Sequence, residues 1–94
     1  MKLYKFNNRK HQHTVISAIT RVRNMIFAAE ESGRDDLAKK YTASWIRLND
    51  VMERNSVYDY PHMIEVPYED WKVLDSARRW YEGIRLANHA AMHG

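Results

Sequence analysis

Cysteine is absent from the 94 residues. That excludes disulfide staples and thiolate metal sites, and with them the small disulfide-dense secreted class. Three glycines and two prolines leave too little material for a glycine-rich phosphate loop. No apolar run approaches the roughly 20 residues a membrane span needs. The basic start of the chain is not followed by the continuous apolar stretch of a signal peptide. A cytoplasmic protein with no membrane contact is the expectation. Acid is missing from the first 29 residues, which carry Lys2, Lys5, Arg9, Lys10, Arg21 and Arg23. Residues 30–94 hold nine basic and twelve acidic residues. The formal net charge of +3 is therefore a dipole, +6 in the N-terminal third against −3 elsewhere.

What is present is a generous apolar supply, 45% hydrophobic and 12% aromatic. Disorder needs the opposite balance. The length suits one domain, residues 1–94. Three short helices cannot cover this many apolar side chains, so a homo-oligomer is expected.

Periodicity predicts three amphipathic helices over about 9–31, 35–54 and 68–92. In the first, Val15, Ile19, Val22, Ile26 and Ala29 recur at helical spacing, and Asn7 or Asn8 is placed to cap it. Gly33 stands where a left-handed residue ends a helix. Ser32 and Asp35 have the spacing of a capping box for the next helix. Ala38, Tyr41, Trp45, Leu48 and Met52 share one face of helix two, with Asp35 and Asp36 opening it and Arg54 closing it. Val73, Ala77, Trp80, Ile84, Ala87 and Ala91 stripe helix three, and Trp45 and Trp80 are expected to be largely buried. Gly83 within that helix points to a close helix approach.

Between helices two and three, Pro61 and Pro67 exclude a continuous helix. Val57, Tyr58, Tyr60, Met63, Ile64 and Val66 make the segment too apolar for a solvated linker. The favoured reading is a loop laid over one end of the bundle. The alternative is a two-stranded ribbon pairing His62 to Val66 with Lys2 to Phe6. The fold class read from the sequence is all-α: a three-helix antiparallel bundle with a docked N-terminal extended segment and a long aromatic loop.

Chemistry-bearing patterns are sparse. His89 and His93 are four apart on a helix, a chelating spacing, but no third ligand accompanies them. His11 and His13 face different sides of a helix. The serines have no neighbouring base pattern, and Glu69, Asp70 and Asp75 are explained by the dipole of the helix they open. The expectation is no enzyme, no cofactor and no metal.

Two surfaces remain. Tyr58, Tyr60, Met63 and Tyr68 with Arg78 and Arg79 carry the residue types of protein–protein hot spots, and are the candidate partner-binding set. Lys5, Arg9, Lys10, Arg21 and Arg23 form a candidate anion-binding set for nucleic acid or a nucleotide. In gross character (small, basic at one end, cysteine-free, rich in Met, Tyr and Trp) the chain is similar to phage early proteins that bind and disable host machinery. The likeness implies a non-enzymatic, stoichiometric protein–protein inhibitor. Alternatives are a nucleic-acid binder using helix one, or a protein that sequesters an anionic nucleotide at a subunit junction.

Overall fold

The computed structural model describes residues 2–93, with side chains to residue 91. Its elements run β1 (Leu3–Asn7), α1 (Asn8–Glu31), α2 (Asp35–Arg54), β2 (Met63–Pro67) and α3 (Tyr68–His93). The molecule is mostly helical with a small two-stranded antiparallel sheet, β1 against β2.

α1 begins with the Asn7 side chain accepting the Lys10 N–H at 3.2 Å. At its other end Gly33 adopts φ +69°. The Arg34 N–H bonds Ala29 C=O and the Gly33 N–H bonds Glu30 C=O, a Schellman stop that reverses the chain into α2. The expected capping box does not form: Arg34 is the N-cap of α2 and no side chain bonds there. Asp35 and Asp36 supply the charge complement instead. α2 ends in the same way as α1. The Val57 N–H bonds Met52 C=O, the Ser56 N–H bonds Glu53 C=O, and Ser56 takes φ 54°. The tight turn drives Val57 inward, where it is fully buried.

The expected loop between α2 and α3 is in part a strand, so the all-helical bundle reading is corrected. Phe6 faces Ile64 and Tyr4 faces Val66 in the register, alternating with Asn7 facing Met63 and Lys5 facing Glu65. Phe6 and Val66 are buried while Leu3, Lys5, Met63 and Glu65 are exposed. This period of two gives the ribbon one apolar face. Pro61 precedes β2 and Pro67 ends it, so neither costs an interior ladder bond.

The core lies beneath that ribbon. Val15, Ile19, Leu48, Val51, Met52, Val57 and Leu74 join Phe6 and Val66 in one cluster, with Trp45, Trp71, Val73 and Ala77 packed on it. Burial is thus concentrated where the start of α1, the end of α2 and the start of α3 converge. The expected burial of the two tryptophans is not found: Trp45 is half-buried and Trp80 is 39% exposed. Among the described residues of α3, Leu74 and Asp70 are the buried ones, so the helix is turned about its axis with the Asp70–Leu74 edge inward and Trp80 outward. Gly83 has nothing near its Cβ position, so no close helix approach explains it. Residues 85–91 are all exposed, and the end of α3 projects past the core.

Asp70 ties α3 to the end of α2. It accepts Arg54 Nη2 at 2.8 Å and Asn55 Nδ2 at 2.9 Å. Burial pushes the Asp70 carboxyl up, but the hydrogen bonds from Asn55 and Arg54 outweigh it and hold the group below the ordinary aspartate value. A depressed carboxyl contributes stability that is present above the unfolded value, about pH 4, and lost as pH falls through the folded one. Asp70→Asn should therefore be less stable than the parent at neutral pH, with the gap closing at pH 3. Urea melts at pH 7 and pH 3 measure it, and a gap of equal size at both would refute the pairing.

Candidate functional site

The segment after α2 is held by side chains of α1. Asn8 is fully buried, and its Nδ2 donates to Val57 C=O at 3.0 Å and to Tyr60 C=O. One turn further along α1, Gln12 Nε2 donates to Val57 C=O at 2.9 Å and to Tyr58 C=O at 3.1 Å. Within the segment, the Asp59 and Tyr60 N–H groups bond Ser56 C=O. The Tyr58 hydroxyl donates to Asn49 Oδ1 at 2.9 Å. Burial and then the Glu53 carboxylate push the Tyr58 phenol up, which keeps that donor protonated.

On this fixed backbone the side chains face water. Tyr58 is 37%, Tyr60 56% and Met63 54% exposed. Met63 is opposite Asn7 on the outer face of the ribbon, and Lys5 lies diagonally across from it. Arg9 follows Asn8 directly and is exposed. Two tyrosines and a methionine are thus exposed on residues 58–63, with the exposed cations Lys5 and Arg9 on the paired strand and just after it.

The other candidates fall elsewhere. Tyr68 stands at the opposite end of the ribbon, in an aromatic cluster with Tyr4 at 5.1 Å and Trp71 at 6.1 Å; Tyr4 and Trp71 are 5.5 Å apart. Lys72 caps the Tyr68 ring at 5.7 Å. That cluster joins β1 to α3. Arg78 gives its donors to Asp75 at 2.8 Å and Glu82 at 2.9 Å; hydrogen bonding to Asp75 is the main cause that raises its pKa. Arg79 pairs with Asp75 at 2.9 Å. The Asp75–Arg78–Glu82 group faces His11, whose pKa is lowered by burial first and by the Arg78 charge second. Tyr58, Tyr60 and Met63 therefore share one exposed stretch of chain, whereas Tyr68, Arg78 and Arg79 are engaged elsewhere.

In the anion-binding set, Lys5, Arg9, Lys10, Arg21 and Arg23 are all exposed. None pairs with a carboxylate among the described residues. Arg23 lies over the Phe27 ring at 5.6 Å. The first turn of α1 has no acid, so Arg9 and Lys10 stand against the helix dipole. From Arg9 to Asn24 the solvent face of α1 runs about 22 Å with no acidic residue.

Among the described residues no group of three or more His, Asp or Glu side chains is placed to hold a metal ion. The His93 side chain of the His89–His93 pair lies outside the described residues. No described helix is long and apolar enough to cross a membrane. Asn8 and Gln12 were not singled out as site residues from the sequence. Asn8 reads as a cap and Gln12 as a residue between two histidines, and their partners lie 45 or more positions away. No protein-family model, curated protein or solved structure matches the chain.

Proposed function

We propose that this chain is a non-enzymatic binding protein that acts stoichiometrically on a protein partner through Tyr58, Tyr60 and Met63. One observation carries the reading: three large apolar side chains are exposed on a backbone pinned by Asn8 and Gln12. Exposed apolar side chains on a loop normally lose much entropy when they dock. Here the loop is already ordered, so less binding free energy is spent on fixing it. Tyrosine adds large contact area with two side-chain torsions. The cations Lys5 and Arg9, on the paired strand and just after it, favour a partner surface with an acidic rim. Occupancy without chemistry is the mode of a phage-type inhibitor of host machinery, working in the cytoplasm. Self-association through the projecting end of α3, where Leu86 is 70% exposed, is part of the same proposal.

A second reading rests on the acid-free face of α1, where Arg9, Lys10, Arg21 and Arg23 pair with no carboxylate among the described residues. These four cations, with Lys5 on β1, would track a nucleic-acid backbone or a nucleotide. One comparison separates the two, using partner captured from lysate with and without nuclease. Tyr58→Ala with Tyr60→Ala should keep the helical circular-dichroism signal and weaken binding at least tenfold, on the order of 1.4 kcal/mol. Arg21→Glu with Arg23→Glu should change affinity little. A silent tyrosine pair and a decisive arginine pair would reverse the assignment.

A further inference from the structure

A second concave site lies away from the ribbon, in a groove of about 520 Å³ among the three helices. Val22, Met25, Leu48, Val73, Ala77 and Trp80 give it an apolar floor, and Lys40, Arg47 and Lys72 line it as well. Among the described residues no carboxylate lines it. Lys72 already pairs with Glu69 at 2.9 Å, whereas Lys40 and Arg47 pair with no carboxylate among the described residues. On α3, Asp75, Arg78 and Glu82 lie toward His11, while Val73, Ala77 and Trp80 line the groove together with Val22 and Met25 of α1 and Leu48 of α2.

We infer that this groove binds a small amphipathic anion, an acyl or aryl body carrying one carboxylate or phosphate head. A fully polar anion gains nothing from the floor. A neutral hydrophobe covers the floor but leaves Lys40 and Arg47 unanswered. An organic cation meets two positive charges that no carboxylate among the described residues offsets. An apolar body with one anionic end covers the floor and answers Lys40 or Arg47, and the volume falls within the small-ligand range of roughly 300–1,000 Å³. The site uses none of the residues assigned to partner binding, and no protein partner is needed to test it.

Dodecanoate is the probe, titrated calorimetrically below its micellar concentration, with dodecyltrimethylammonium as the equal-chain cation. Dodecanoate should bind one to one, and the cation should give no saturable heat. Lys40→Glu with Arg47→Glu should weaken dodecanoate at least tenfold. So should Ser76→Trp, which fills the groove from an exposed lining position and leaves the charges in place. Both sets alter exposed positions, and parent-like circular dichroism confirms that the variants fold. Equal binding of the cation, or an affinity unchanged in both variants, would overturn the proposal. Loss in Ser76→Trp with a silent charge reversal would overturn the anionic head. A designed acidic amphipathic peptide that binds more tightly than dodecanoate, and is displaced by Ser76→Trp, would assign the groove to a protein and overturn it as well.

Discussion

Leu74→Ala should lower the melting temperature by about 8–40 °C, the largest stability effect expected of any single truncation on α3. Leu74 is fully buried in the cluster shared by the ribbon, α1 and α2. Truncating a buried leucine to alanine costs roughly 2–5 kcal/mol through lost transfer free energy and the cavity left behind. For a domain of this size each kcal/mol moves the midpoint by about 4–8 °C. Trp80→Ala removes a larger side chain from the same helix. It should shift the midpoint by only a few degrees, because Trp80 is 39% exposed over the groove. A thermal melt of the two variants side by side checks the orientation of α3. If Trp80→Ala proved the more damaging, the helix would be turned the other way and the core wrongly placed.

Asn8→Ala should be costly twice over. Its amide is buried and satisfies two backbone carbonyls, of Val57 and Tyr60. Val57 C=O keeps its bond from Gln12, whereas Tyr60 C=O has no other protein donor among the bonds described. Leaving a buried acceptor without a donor costs about 1–3 kcal/mol, and the Tyr60 carbonyl, part-buried in an exposed residue, falls at the low end of that range. The freed loop must then be ordered on binding, so affinity should also fall at least tenfold. Asn7→Ala is the control. It removes the α1 cap, a loss of about 1 kcal/mol, and trims the position across from Met63, so binding should fall less than in Asn8→Ala. Urea unfolding and partner titration on the three proteins check both halves. Parent-like stability of Asn8→Ala would mean that the tether does not hold the loop.

The helical hairpin was legible because its signals are local. Gly33 marks the end of α1, Asp35 and Asp36 open α2, Arg54 closes it, and the observed α2 bounds agree with those read from the chain. The ribbon was harder to read for a physical reason. Each strand offers only five residues, and β-pairing between Phe6 and Ile64 spans 58 positions that no local pattern reports. Helix three shows a related failure. The stripe through Val73, Ala77 and Trp80 is regular, but the edge turned inward is the one carrying Asp70 and Leu74, whose partners lie on other elements that no local pattern reports. At the candidate site, Tyr58, Tyr60 and Met63 stood out by residue type alone. Arg78 and Arg79 stood out equally, and only the structure shows their donors taken by Asp75 and Glu82.

Amide hydrogen exchange on the free protein and on its complex with the captured partner tests the binding surface most directly. The account predicts slowed exchange in residues 57–64 and at the start of α1, with the amides from Arg21 to Phe27 unchanged. Protection running along the Arg9–Asn24 face of α1, with residues 57–64 exchanging as in the free protein, would contradict it.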